Sequence, residues 1–318
     1  MKIQLIKPQV KEIKEKDPFK KIEICGRNCY KSVSPITEET SYDFFMRMLK
    51  NKHYAMLEHA TFVFEITGEG AESKDFERLV YKFGKGYLKY TNEDIGFYKS
   101  RVLVSGNLRA ILGSSISPLI DALVRKYEKL NSAVLLPHKC WLSPEKISAE
   151  IVNLDEYSSL SEIEVKRHKY NTYLFTTDRG VTHEMVRHRP VSFAQESTRY
   201  CNYAKSDTMQ FIEPPDFDSW DNSVKLAYKE ALKFSADTYE HLISGCDFTA
   251  QKARGVLPVD LKSDIVMTTN FEEWKHFFDL RFFGTTGAPH PNMKQVAEMA
   301  YNLWHKEYED IYLPLIKW

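Results

Sequence analysis

Residues 171–190 constrain this chain more than any other stretch. Asn171-Thr172-Tyr173-Leu174-Phe175-Thr176-Thr177 is β-branched and aromatic and reads as a strand. Asp178-Arg179-Gly180 ends it, and residues 181–188 then fit a helix. On that helix Val181, Met185 and His188 share one face while Glu184 and Arg187 share another. Pro190 biases Arg189 out of helical geometry, so the helix stops there and a loop over 192–200 begins. A strand, a tight turn and a short helix halted by proline form an α+β unit. Its open end carries Arg187-His188-Arg189.

That end is chemically loaded. Two arginines and a histidine are followed by Gln195-Glu196-Ser197-Thr198-Arg199-Tyr200. Guanidinium forks grip phosphate or carboxylate bidentately and hydroxyls add short hydrogen bonds, so the pattern suits an anion. The anion is not expected to be a nucleic acid, because 44 basic and 44 acidic residues leave a formal net charge of zero. The five cysteines (Cys25, Cys29, Cys140, Cys201, Cys246) are scattered and lack C-x-x-C spacing, which predicts no disulfide framework and no zinc site. Lysines and Pro8 interrupt the first residues before an apolar run develops, and no segment approaches the ~20 apolar residues needed to span a bilayer. A cytoplasmic protein without a membrane partner is expected.

Along the chain, residues 3–6 read as a short strand, followed by charged sequence to about residue 20. Thr37 is placed to cap a helix ending near Asn51, with Glu38 and Glu39 at its positive end and Tyr42, Phe45, Met46 and Leu49 on its apolar face. Residues 53–59 lead into a strand over 60–66. His53 and His59 flank Glu58 without a standard zinc spacing, so no metal is expected and His59 is read as packed or in ligand contact. From 67 to 170, helical patterns alternate with loops, and Ser117-Pro118 opens a helix that continues through Leu130. Residues 143–166 read as a loop or solvated helix. Leu103-Val104-Ser105-Gly106-Asn107-Leu108 echoes Val266-Met267-Thr268-Thr269-Asn270-Phe271; each places an asparagine where strand gives way to helix. An amphipathic helix is predicted over 222–244, stopped by Gly245. A short helix ends within 251–258, a strand covers 265–269, and Asn270 caps a helix running to Arg281. Met293, Ala297, Ala300 and Trp304 form the core stripe of a last helix, about 291–306.

Arg187-His188-Arg189, seven further residues and Ser197 resemble the signature of the flavin-dependent thymidylate synthases, the ThyX family. The block 53–66 resembles that family's His-Glu-x-Pro-x-Glu-His element and strand, and Arg254-Gly255-Val256-Leu257-Pro258 its Arg-x-x-Leu-Pro segment. Asn270 through His276 to Arg281 resembles its asparagine-started helix, and His290 with the last helix aligns as well. The resemblance covers 25–66 and 171–310. It implies a ThyX-like α+β fold, a small, mainly antiparallel sheet flanked by helices. Residues 1–66 and 171–318 would make the catalytic domain, and 67–170 a largely helical insertion within it.

The implied reaction converts dUMP to dTMP with methylenetetrahydrofolate as carbon donor and FAD, reduced by NADPH, as hydride carrier. Glu184, Arg187, Gln195, Glu196, Ser197, Thr198, Arg199, Arg254 and Arg281 would contact dUMP, with Arg281 catalytic through stabilisation of the N3-deprotonated uracil. His53, Ala55, Arg187, His188, Arg189, Gln195, Asn270, Glu272 and His276 would contact FAD, and a homotetramer with shared sites is implied. Four features depart from the family's pattern: Glu184 in place of glutamine, Ala55 in place of a hydroxyl residue, Glu272 in place of arginine, and Thr285-Thr286-Gly287-Ala288-Pro289 lengthening the turn before His290. The Glu184, Ala55 and Glu272 changes, together with the long insertion, motivate an alternative, a catalytically weakened homologue that keeps the nucleotide site.

Overall fold

A computed structural model describes residues 1–32, 34–96, 99–114, 116–127, 130, 146–156 and 160–312. Strands β1 (Lys2–Ile6) and β2 (Gln9–Glu12) lead into helices α1 (Pro18–Tyr30) and α2 (Glu38–Lys50), and a 3-10 turn (Tyr54–His59) delivers the chain to β3 (Thr61–Gly68). Helix α3 (Lys74–Gly84), strands β4 (Leu88–Gly96) and β5 (Lys99–Asn107), helices α4 (Leu108–Ser114) and α5 (Ser117–Lys126) and strand β6 (Ile147–Val152) follow. Helix α6 (Glu162–His168) precedes β7 (Tyr170–Asp178), α7 (Arg179–Met185), β8 (Ser192–Gln195) and β9 (Thr208–Ile212). Helices α8 (Asn222–Ser244) and α9 (Ala250–Ala253), strand β10 (Lys262–Asn270) and helices α10 (Phe271–Arg281) and α11 (Pro291–Tyr312) complete the order.

The strands form two antiparallel four-stranded sheets, β4-β5-β3-β6 and β2-β7-β10-β8, and a parallel pair, β1-β9. Each large sheet covers its own core. In the second sheet Tyr173 and Phe175 of β7 and Ile265 and Met267 of β10 repeat at the two-residue period of a strand and point inward together. They meet the helical stripes of α10 (Phe271, Trp274, Phe277, Phe278) and α11 (Met293, Val296, Ala297, Ala300, Trp304). Trp274 stands edge-on to Tyr173 at 4.9 Å and stacks on Phe278 at 5.6 Å. Each such fully buried side chain contributes about 1.5–3 kcal/mol through area removed from water. The first sheet buries Phe62, Phe64, Val102 and Val104 against Phe44, Phe45 and Met48 of α2 and against Leu119, Ile120 and Leu123 of α5.

Local signals set several boundaries as expected. Thr37 and Thr40 form a reciprocal capping box at the start of α2, which ends at Lys50. Asn270 accepts from the Glu273 amide at 2.9 Å and starts α10. The spans of α8 and the stripe on α11 match their sequence patterns.

Other boundaries differ. The charged run after residue 6 contains β2 and, from the Asp17 cap, α1; β2 gains its order by pairing with β7 rather than from any apolar alternation. The helix read over 181–188 ends at Met185, because Arg187 and His188 turn back onto the carbonyls of Glu184 and Met185 in tighter i→i−3 bonds. Ser192 to Gln195 are a strand rather than loop, fixed by β10 across the ladder. The stretch 67–170 holds its expected helices and also β4, β5 and β6, whose outward faces carry residues such as Lys89, Glu93 and Glu150 that mask the apolar alternation. Strand β6 and helix α6 take the place of the loop or solvated helix read at 143–166. Helix α5 ends at Lys126, before the buried Leu130. Cys140 lies outside the described residues.

Candidate active site

The ends of β7, β8 and β10 carry the signature. Asp178 caps α7 by accepting from the Val181 amide at 2.7 Å and is itself held by the Asn292 amide at 2.9 Å, so the short helix is anchored at its start. From α7 and the turn after it come Glu184, Arg187, His188 and Arg189. Three of the expected residues converge. Arg281, at the last position of α10, makes a 2.8 Å ion pair with Glu184 and donates from Nε to Nε2 of His188 at 3.1 Å. His188 is buried, packed edge-on to Phe277 at 5.0 Å and 6.1 Å from the exposed His276 ring. Burial first, then the neighbouring Arg281 cation, pushes His188 down to about 4. A neutral ring accepting at Nε2 carries its proton on Nδ1. His188 therefore serves as an acceptor that aims the guanidinium.

The remaining arginines expected at the site are open. Arg187, Arg189, Arg199 and Arg254 are exposed, and among the described residues none of them has a carboxylate within ion-pair distance. Arg189 folds back onto the Val186 and His188 carbonyls. Arg199 donates to Gln251 at 3.1 Å, which ties the 197–201 turn to the segment bearing Arg254. In that turn the amides of Tyr200 and Cys201 return to the Ser197 carbonyl, and the Ser197 hydroxyl accepts from the Arg199 amide at 3.3 Å. Thr198 is buried beside them. Gln195 donates to the Thr182 hydroxyl at 2.7 Å, locking β8 to α7. Unlike Arg281, these four arginines are not held by an internal acid among the described residues, so they suit an anionic ligand.

Some expected ligand residues have other work. Glu196 is 2% exposed and accepts from Tyr203 at 2.9 Å, from Lys262 and Lys31 at 3.0 Å each, and from the Asp264 amide at 3.1 Å. Its carboxylate is a strut under the turn and would repel a phosphate if it faced one. Asn270 is buried, and its amide also donates to the Arg167 carbonyl at 3.3 Å; it closes β10 and caps α10. Glu272 is exposed in the first turn of α10. His53 and Ala55 are exposed at the start of the 54–59 turn, which packs on β8. His59, by contrast, is buried, hydrogen-bonded to Thr268 at 2.8 Å and held down to about 3 by desolvation. His290 is exposed beyond α10, and its ring accepts from the Asn292 amide at 3.3 Å. Burial raises the Cys201 thiol, which suits a structural thiol rather than a nucleophile. Among the described residues no three His, Cys, Asp or Glu gather as a metal site.

The structure adds residues the sequence pattern hid. Lys31 and Lys262 clamp both Glu196 and Asp264. Burial opposes their charges, yet the mutual ion pairs hold Lys31 above the usual lysine range and Asp264 below the usual carboxylate range. Lys262 and Asp264 are two residues apart on one strand, so their common face was legible; the partner from α1, Lys31, was not.

The span of the site coincides with a family match. A profile described as "Thymidylate synthase complementing protein" matches residues 143–308, more than half of the chain. The chain belongs to this family. Every expected site residue except His53 and Ala55 falls within the match. A flavin-dependent thymidylate synthase of Geobacter sulfurreducens is 32% identical over 140 residues, covering 43% of this chain and 59% of that protein. One from Pyrococcus furiosus is 25% identical over 182 residues, covering 52% and 71%. The chain thus spans less than two thirds of the Geobacter relative. A solved structure of a UMP/dUMP methylase, PolB of Streptomyces cacaoi bound with 5-Br dUMP, is 22% identical with a TM-score of 0.38, covering 44% of this chain and 68% of that one.

Proposed function

We propose that the protein is a flavin-dependent thymidylate synthase that methylates dUMP with methylenetetrahydrofolate, using FAD reduced by NADPH. The observation that carries this is the Glu184–Arg281–His188 cluster, which lies with Arg187, Arg189, Arg199 and Arg254 inside the stretch that matches the family. Arg187, Gln195, Ser197, Thr198, Arg199 and Arg254 would hold the nucleotide, the arginines and hydroxyls meeting its phosphate. Glu196 would set the turn that presents Ser197 to Arg199.

Arg281 would face the uracil and stabilise charge developing on N3, with His188 fixing the guanidinium from behind. Glu184 already neutralises part of that cation, so substrate must share or displace the ion pair. The open guanidiniums also fit a phosphate-bearing cofactor. His188, Arg189, His276 and Arg187 would line FAD, with His53, Ala55, Gln195, Asn270 and Glu272 nearby. FAD supplies the hydride when bound, and the protein contributes orientation and positive charge.

A homotetramer is part of the same proposal. On α8, Val224, Leu226 and Phe234 are exposed, Phe234 by 75%, which suits a surface covered by another subunit. A cytoplasmic location is likewise proposed; among the described residues no helix is long and apolar enough to cross a membrane. The Glu184–Arg281 pair also favours a second reading, a homologue that binds dUMP but turns over weakly because its key cation is masked. An absorbance spectrum of the purified protein after incubation with FAD tests the first reading. Retained flavin absorbance is expected, and a colourless protein that cannot be loaded would refute it.

A further inference from the structure

One arginine close to the site has no role in the reading above. Arg179 is the first residue of α7, directly after β7. Its amide donates to the Val259 carbonyl at 2.9 Å, and its carbonyl accepts from the Thr182 hydroxyl at 2.9 Å. That same hydroxyl accepts from Gln195 at 2.7 Å, at the end of β8 and just ahead of the 197–201 turn. The backbone of Arg179 is therefore held at both ends, and one of the two ties leads to the turn.

The side chain is not matched in the same way. Its Nη1 is buried without a hydrogen-bond partner, and among the described residues no carboxylate lies within ion-pair distance of the guanidinium. Two acids on neighbouring elements are engaged elsewhere. Asp178 accepts from the Val181 amide and from Asn292, while Glu196 is taken up by Lys31, Lys262 and Tyr203. The Tyr203 hydroxyl, which donates to Glu196 at 2.9 Å, lies within electrostatic reach of Arg179. The guanidinium thus stands beside the strut that supports Ser197 to Arg199.

A buried N–H left unpaired destabilises the protein that carries it, and a desolvated cation without a counter-charge does so more strongly. Buried donors are otherwise satisfied almost throughout folded proteins, so this exception calls for a cause. Arg187, Arg199 and Arg254 are exposed, and water and salt screen their charges. Arg179 is only partly exposed, so its charge is screened less. We propose that Arg179 is a positioning residue for the anionic end of the ligand, a fixed positive charge behind the Ser197–Arg199 turn that favours a phosphate monoester held on the turn's hydroxyls and arginines. It acts through the turn rather than by touching the reacting atoms. This rests on the proposed function, under which that ligand is dUMP.

Calorimetric titration of dUMP into the full chain, with thermal melts of the same proteins free of nucleotide, tests the inference. Arg179→Met should raise the Kd for dUMP by about tenfold, the scale of one lost charge interaction, and Arg179→Lys should stay near the wild-type value. The Tm of Arg179→Met should be no lower than that of the wild-type protein, because an unpaired buried donor has been removed. A residue that merely braces the fold would give the opposite pattern, a lowered Tm in Arg179→Met and weakened dUMP binding in Arg179→Lys as well. That pattern, or unchanged dUMP affinity in Arg179→Met, would overturn the inference and leave the proposed function standing. Wild-type protein that binds no dUMP would overturn both.

Discussion

The two four-stranded sheets share a strand order and differ in what their helix-to-strand turns carry. In the first sheet the turn between α3 and β4 is Gly84-Lys85-Gly86-Tyr87. A Cβ on Gly84 would come within 2.4 Å of Leu88, and Lys85 and Gly86 have φ of 48° and 84°. In the second the corresponding turn is Arg187-His188-Arg189-Pro190, with a buried imidazole locked to Arg281. One turn is made of backbone freedom and the other of charged side chains. The scaffold tolerates both, so chemistry on this fold resides in the turn and in the helix end facing it, rather than in the sheet.

Five substitutions sharpen the contrast, from largest expected effect to smallest. Trp274→Ala opens a cavity under the second sheet and should cost about 3–5 kcal/mol in chemical denaturation; Phe64→Ala, in the core under the first, should cost a similar amount. Unequal costs would mean the two cores are not alike in weight. Arg281→Ala should cut the rate of dUMP methylation by about 100-fold or more, the scale of losing one preorganised charge stabiliser, while FAD stays bound. Unchanged turnover would remove Arg281 from the chemistry.

Two buried histidines, His59 bonded to Thr268 at 2.8 Å and His168 bonded to Ser105 at 2.7 Å, set a pH dependence. Burial, followed by nearby cations, holds His59 and His168 down at about 3. The unfolded chain takes up their protons near pH ~6.5, so their neutral forms support the fold fully above that pH and the support is lost as pH falls towards 3. The slope should approach about 1.4 kcal/mol per pH unit for each histidine, and His168→Gln should flatten it in urea melts taken across that window. Glu184→Gln frees Arg281 and should tighten dUMP severalfold in calorimetry. Weaker binding would show that the carboxylate itself holds the nucleotide.

Much of the second unit was legible from residues because its signals are local. The strand 171–177, the Asn270 cap and the apolar stripe of α11 follow from short-range sterics and periodicity. The echo between 103–108 and 266–271 was legible as well, and it marks equivalent strand ends. What stayed hidden depends on partners far along the chain. β2 and β8 are four residues each and exist because β7 and β10 pair with them. Glu196 looked like a ligand residue; only its contacts with Lys31, Lys262 and Tyr203 show it as a strut. Glu184 looked like a defect in the site, yet Arg281 meets its charge.

Tritium release from 5-tritiated dUMP, with FAD, NADPH and methylenetetrahydrofolate present, tests the central claim most directly. Release by the wild-type protein that requires both FAD and Arg281 is the expected result. Protein that binds FAD and dUMP but releases no tritium would contradict it.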